Sequence, residues 1–278
     1  MTALHALLDT LERDQALLAP QALRERSQAL DGLERALDLE GGDEGQRRRA
    51  EALRGRLEAL DRALCQRLRE DLRRGDGAAL TAWAERQLDG AAGGGEHYDH
   101  LDELVSGVLR LPAPSDDIAA LDEDMVFYQP TPARHVFDLL RRLPLRADDV
   151  LADLGAGLGH VPLLVAACTR ARAHGVEIEP AYVASARACA AELGLARATF
   201  ECADARAAEL GEATVFYLYT PFSGAILRQV LDALASQARR RSIRVCTLGP
   251  CTAVVADESW LAAPAPWRTD RVAIFHSR

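Results

Sequence analysis

Leucine recurs at helical spacing through the first hundred residues. Leu4, Leu7, Leu8 and Leu11 share one face, as do Leu23, Leu30, Leu33 and Leu37, and then Leu53, Leu57, Leu60, Leu64 and Leu68. Ala, Glu and Arg fill most positions between them, so residues 1–110 read as amphipathic helices. The run Gly41-Gly42-Asp43-Glu44-Gly45 separates two of these helices as a loop, and residues 91–96 form a glycine-rich hinge. Leu111-Pro112-Ala113-Pro114-Ser115 breaks the last helix. Then the period changes. Short apolar runs at 150–154, 173–178, 198–202, 214–219 and 243–248 each precede a helical or irregular segment, and Arg271 to His276 makes a final strand. Short apolar strands between helices predict a mostly parallel sheet covered on both faces. The chain therefore divides into a helical domain over 1–115 and an α/β domain over 116–278. The leucine stripes need a partner surface. The first domain is expected to close as a lid over the second, and its helices could also pair two copies of the chain.

The α/β part carries one diagnostic turn. Val150-Leu151-Ala152 runs into Asp153-Leu154-Gly155-Ala156-Gly157-Leu158-Gly159. A buried strand ends in a carboxylate and turns through three glycines into a helix. Such a turn presents bare backbone N–H groups and a helix N-terminus to a ligand. A dinucleotide turn spaces its glycines as G-x-G-x-x-G/A, which would put the third small residue at position 160. That position is His160, and the third glycine comes one residue early. Further acids follow at strand ends. Glu177 and Glu179 close the second strand in Gly175-Val176-Glu177-Ile178-Glu179-Pro180, and Asp204 closes the third in Phe200-Glu201-Cys202-Ala203-Asp204-Ala205. Either glutamate could accept from the hydroxyls of a ribose. The fourth strand, Thr214 to Tyr219, runs into Thr220-Pro221-Phe222.

In this order and spacing, the chain from about Met125 onward resembles the class I S-adenosylmethionine (SAM)-dependent methyltransferases. The resemblance implies a Rossmann-like, mostly parallel seven-stranded sheet with SAM as cofactor. It implies that Asp153, Gly155, Ala156, Gly157 and Gly159 form the cofactor turn. Glu177, in preference to Glu179, would hold the ribose with Ile178 beside it, and Asp204 with Ala205 would meet the adenine. Amino-methylating relatives use [N/D]-P-P-[Y/F] after the fourth strand to hold the target amine. The aligned segment is Tyr219-Thr220-Pro221-Phe222, where a phenol replaces the amide. Methylation of adenine N6 or of glutamine is thereby put in doubt. Tyr219 could instead orient a substrate or face the cationic sulfonium, whereas Tyr217 is as readily explained by strand alternation. Phe127-Tyr128-Gln129-Pro130-Thr131-Pro132 precedes the first strand and would cross the methionine end of SAM. With the glycine turn, this loop makes the chain similar in part to the non-SET histone-lysine methyltransferase family. The expected reacting site comprises Tyr128, Tyr219 and Phe222, with Tyr128 and Tyr219 also touching the cofactor.

Composition narrows the partners. The chain of 278 residues carries a net charge of −9, and its 33 basic residues are all Arg, with no Lys and no Asn. An exposed nucleic-acid track needs a basic surface, so the expected acceptor is a small molecule or a protein and not a nucleic acid. No catalytic lysine and no Asn amide is available. No apolar run approaches a membrane span and the N-terminus lacks signal-peptide character, so neither membrane nor export is expected. The six cysteines form no C-x-x-C pair and read as reduced core residues of a cytoplasmic, bacterial-type protein. His97 and His100, with Asp99 and Asp102, have metal-ligand spacing but no third clustered ligand, and no metal is expected. His160 could touch the SAM carboxylate or act as a base, although its place suits packing or capping. Arg47 to Arg49 and Arg239 to Arg241 read as solvated helix faces. Three readings follow: a SAM-dependent methyltransferase, a cyclase converting SAM to azetidine-2-carboxylate and methylthioadenosine, and a non-catalytic SAM-binding regulator. An aromatic pocket of Tyr128, Tyr217, Tyr219 and Phe222 would suit the second by cation–π support of the sulfonium.

Overall fold

The computed structural model describes residues 3–88, 97–113, 128–262 and 266–278. The hinge expected at 91–96 and the domain break expected at residue 115 lie outside the described residues, as does Phe127. By compactness the chain divides into one unit of residues 1–70 with 99–108 and a second of residues 71–98 with 109–278.

The first unit is helical. Helix α1 (Ala3–Arg13), a 3₁₀ turn (Gln15–Leu18), α2 (Leu23–Glu40), most of α3 (Glu44–Arg73) and most of α5 (His100–Leu109) compose it. The leucine stripes meet: Leu4, Leu8, Leu17, Leu33, Leu53 and Leu57 form one buried cluster. A buried guanidinium sits beside that cluster. Arg26 donates to Asp61 at 2.6 Å and to the carbonyls of Leu17 and Ala19 at 2.9 and 2.7 Å, so its charge is paired and its donors are used. The Gly41–Gly45 run is a helix junction, as expected. Gly41 ends α2 at φ 71, and Asp43 and Gln46 cap each other reciprocally, each side chain accepting from the other's backbone N–H.

The second unit holds a seven-stranded sheet: β1 (Val150–Leu154), β2 (Arg172–Glu177), β3 (Ala198–Cys202), β4 (Val215–Tyr219), β5 (Arg244–Leu248), β6 (Leu261–Ala262) and β7 (Ala273–Ser277). The order is β3-β2-β1-β4-β5-β7-β6. Strands β1 to β5 pair in parallel, and β7 runs antiparallel to both β5 and β6. The chain leaves β1 for β2 on one side and crosses to β4 on the other, so the order reverses beside β1. In open α/β sheets that reversal opens a crevice at the strands' carboxyl ends. Every residue of β1 is buried. Val150, Ala152 and Leu154 join Phe216, Leu218 and the apolar faces of α9 (Gly224–Ala238) and α10 (Cys251–Ala256) in one core. Leu151 and Asp153 point to the opposite side, as strand alternation requires. Helices α7 (His160–Cys168) and α8 (Pro180–Leu193) pack on β1, β2 and β3.

Helix α4 (Ala78–Leu88) belongs to this unit although it precedes the strands by some seventy residues. It packs on α6 (Ala133–Arg142) and α7, burying Leu80, Trp83, Ala84 and Leu88. Removing a buried Trp side chain costs about 3–5 kcal/mol. Denaturant unfolding of Trp83→Ala is expected to show a loss of that order. Unchanged stability would mean that α4 contributes nothing to the sheet unit's core.

Candidate active site at the strand ends

The turn after β1 is built from left-handed backbone and is tied to β2. Gly155, Gly157 and Gly159 have φ of 81, 53 and 80. The N–H groups of Gly155 and Ala156 both donate to the Val176 carbonyl, at 2.9 and 3.0 Å. The N–H of Gly157 donates to Glu177 Oε2 at 2.8 Å. Glycine was expected here so that a ligand could approach the backbone. The structure adds a second reason. A Cβ on Gly157 would lie 2.0 Å from the Tyr128 ring, and one on Gly155 would lie 2.3 Å from Pro221. The protein's own side chains close on the turn from two directions.

The acids divide by geometry. Glu177 stands at the end of β2 and also accepts from the Glu179 N–H at 2.9 Å. Glu179 is buried and caps α8, its carboxylate accepting from the Ala181 N–H at 3.1 Å. Glu177 is thus the carboxylate set into the turn, and Glu179 is a helix cap. Asp153 is buried, and burial pushes its carboxyl up to about 8, with the Glu177 charge adding to the shift. Ile178 is an exposed apolar side chain just beyond Glu177. Asp204 is held by Arg206, which donates from Nε at 3.0 and 2.9 Å and from its backbone N–H at 2.8 Å. This pairing holds the Asp204 carboxyl below the usual range. Arg206 was not anticipated. Its only trace in the sequence is a spacing of two, which many surface pairs share. Ala205 packs against the core beneath.

The aromatic residues separate in the same way. The Tyr128 hydroxyl lies 3.2 Å from His160 Nδ1, and its ring stacks at a tilt on Tyr182 with centroids 5.0 Å apart. Burial raises the Tyr128 phenol and lowers the His160 imidazole to about 4, so the pair is neutral at neutral pH. His160 thus meets Tyr128, a role its position in the sequence did not reveal. The chain just after Tyr128 is held twice: Tyr98 donates to the Pro130 carbonyl at 2.8 Å, and the Thr131 and Tyr217 hydroxyls lie 3.3 Å apart. Tyr217 is fully buried and Tyr219 is partly exposed at the end of β4. Phe222, expected in the reacting site, is buried in the core with Leu218, Ile226 and Leu227. Strand β4 has ended by then, and the turn carries residue 222 back under the sheet edge. Among the described residues no three His, Cys, Asp or Glu side chains cluster as a metal site, and His100 is buried beside Asp99. Two surface hollows lie elsewhere, one of about 560 Å³ beside α8 and β3 and one of about 620 Å³ around Asp149 and Arg244 at the strands' opposite ends.

These features fit a cationic nucleoside. A buried carboxyl beside a second carboxylate suits a ligand that brings positive charge, and a strand-end glutamate suits ribose hydroxyls. Residues 151–242 match the family described as "Methyltransferase domain". No curated protein matches the chain. Among solved structures, it is similar to an RNA methyltransferase from Salinibacter ruber in complex with S-adenosyl-L-homocysteine (SAH), with 26% identity, 54% of this chain and 92% of the other covered, and a TM-score of 0.44. It is also similar to the precorrin-6y C5,15-methyltransferase from Geobacter metallireducens, with 20% identity, 59% and 95% covered, and a TM-score of 0.39. A third is TrmN from Thermus thermophilus, with 19% identity, 51% and 48% covered, and a TM-score of 0.41. Among the described residues, no helix is long and apolar enough to cross a membrane.

The raised Asp153 carboxyl has a measurable consequence. A carboxyl whose folded value lies above its unfolded one stabilises the fold fully only below the unfolded value, and that contribution is lost as pH rises toward the folded value. For Asp153 the window runs from about 4 to about 8. Asp153→Asn removes the charge. The stability of the variant relative to the native protein is expected to grow across that window, by up to about 1.4 kcal/mol per pH unit. A difference independent of pH would show that Asp153 ionises normally.

Proposed function

We propose that the protein is a methyltransferase that takes SAM at the turn after β1 and methylates a small molecule or a protein, not a nucleic acid. The observation that carries the cofactor assignment is the pair of Asp153 and Glu177 at the glycine turn, with Glu177 bound to the Gly157 N–H. SAM supplies an electrophilic methyl group on a cationic sulfur. In this reading Glu177 accepts from the ribose hydroxyls, Ile178 lies along the base, and Asp204 and Ala205 meet the adenine edge. Asp153, protonated near neutral pH without a ligand, gains a reason to ionise when the cationic ligand arrives. Tyr128 covers the turn from the loop before α6, held by His160. Tyr219, at the end of β4, faces the acceptor and orients it or shields the sulfonium by cation–π contact, worth about 0.5–2 kcal/mol. Phe222 supports this turn from within the core and is given no role in the reaction. The acceptor preference rests on the net charge of −9, which disfavours a phosphate backbone.

Incubation with SAM alone and with SAM plus candidate acceptors, followed by mass spectrometry, tests the reaction. SAH formed only with an acceptor is expected. Methylthioadenosine and azetidine-2-carboxylate from SAM alone would replace methyl transfer by cyclisation. RNA methylated in preference to small molecules and proteins would overturn the acceptor assignment. The two glutamates supply a sharper check on the site. Hydrogen bonds to charged groups contribute about 1.5–3 kcal/mol, so Glu177→Ala is expected to weaken SAH binding about tenfold or more. Glu179→Ala is expected to lose a helix cap, about 0.5–2 kcal/mol of stability, with SAH affinity kept. The opposite pattern in calorimetry and melting would exchange their roles.

A further inference from the structure

Strand β4 ends at Tyr219, and the next residue turns left-handed. Thr220 has φ 39, an outlier for a β-branched residue. Such a conformation persists only where the surroundings over-determine it, and here three neighbours do. The Thr220 hydroxyl donates to the Leu248 carbonyl at 3.0 Å and accepts from the Cys251 N–H at 3.2 Å. Gly249, itself at φ 80, faces it; a Cβ there would lie 2.6 Å from Thr220 Oγ1 and 3.5 Å from the Tyr219 ring. One hydroxyl thus joins the end of β4 to the turn between β5 and α10. The next residue in the chain, Pro221, is the one that closes on Gly155 of the cofactor turn. A continuous line of contacts therefore runs from Gly249 through Thr220 and Pro221 to Gly155.

We propose that Thr220 is a positioning residue whose left-handed turn sets Pro221 on Gly155, fixes the cofactor turn, and gives the acceptor side of the site its shape. The proposal rests on the cofactor reading above. It also bears on the acceptor. In an amine clamp of the [N/D]-P-P-[Y/F] kind, the position of Thr220 is a proline, whose ring holds φ near −65°. A chain at φ 39 cannot follow that path. In that reading the β4 end of the chain presents its acceptor with a different backbone.

The test uses the full-length protein, with SAH as the calorimetric probe and thermal melting recorded on the same samples. Thr220→Ser keeps the hydroxyl and is expected to bind SAH like the native protein. Thr220→Val keeps the shape but loses both hydrogen bonds at a strained φ, and is expected to bind about tenfold more weakly or worse. Thr220→Gly takes a positive φ at no steric cost and is expected to lose less than Thr220→Val. Gly249→Ala drives a methyl into Oγ1 and is expected to weaken SAH binding. Adding Thr220→Gly to it removes that clash, though not the strain of alanine at φ 80, and is expected to recover part of the loss. SAH affinity unchanged in every variant, or a double variant no better than Gly249→Ala alone, would overturn the proposal. If Thr220→Val does not fold, Thr220→Ser against Thr220→Gly decides, because equal affinities would remove the hydroxyl from the device. A native protein that fails to bind SAH would remove the methyltransferase reading and this proposal together, whereas native binding with indifferent variants removes the proposal alone.

Discussion

The turn after β1 satisfies one of its N–H groups internally, Gly159 to the Ala156 carbonyl, but the N–H groups of Gly155, Ala156 and Gly157 must look outside it. Its left-handed glycines place successive N–H groups outside any helix or strand, and buried backbone donors must find partners. Strand β2 supplies them: the Val176 carbonyl takes two, and the Glu177 carboxylate takes the third. The site depends on this arrangement, because Glu177 can serve the turn only if β1 and β2 pair in the register that sets Leu154 opposite Val176. The sheet order then follows function. A crevice at the carboxyl ends needs β1 between β2 and β4, and these strands end at Glu177 and Tyr219.

Two walls complete the turn. Tyr128 closes on Gly157 from the loop before α6, and Pro221 closes on Gly155 from the end of β4. Each wall is anchored away from the site, the first by Tyr98, Tyr217 and His160 and the second by Thr220. Electrostatics work in the same direction. Burial, with the Glu177 charge beside it, opposes ionisation of Asp153, a cost to the folded protein that a cationic ligand would offset. Residues at the site are thus strained or opposed where stability alone would favour relaxed ones, as is usual where binding needs preorganisation.

Much of this was legible in the sequence, and the exceptions have physical causes. Periodicity exposed five strands to within about two residues, because buried parallel strands read as unbroken apolar runs. β6 stayed hidden because two residues carry no period. α4 fell within the span 1–110 read as helical, but helical composition does not say which core a helix joins. The turn at 155–159 was plain because only glycine suits three left-handed positions, whereas Thr220 was invisible because threonine normally avoids that region. Glu177 and Glu179 differ by two residues and both follow a strand, so only the cap on Ala181 separates them. Phe222 aligned with a reacting position, but alignment could not show that the turn carries it into the core. The pairing of Tyr128 with His160 joins residues 32 apart, a contact that no local pattern encodes.

The central claim is that the 153–159 turn with Glu177 forms a SAM site and not a dinucleotide site. Calorimetric titration of the full-length protein with SAH and, separately, with NAD tests it most directly. The account predicts one SAH bound per chain and no measurable NAD binding. NAD binding with SAH excluded would contradict it.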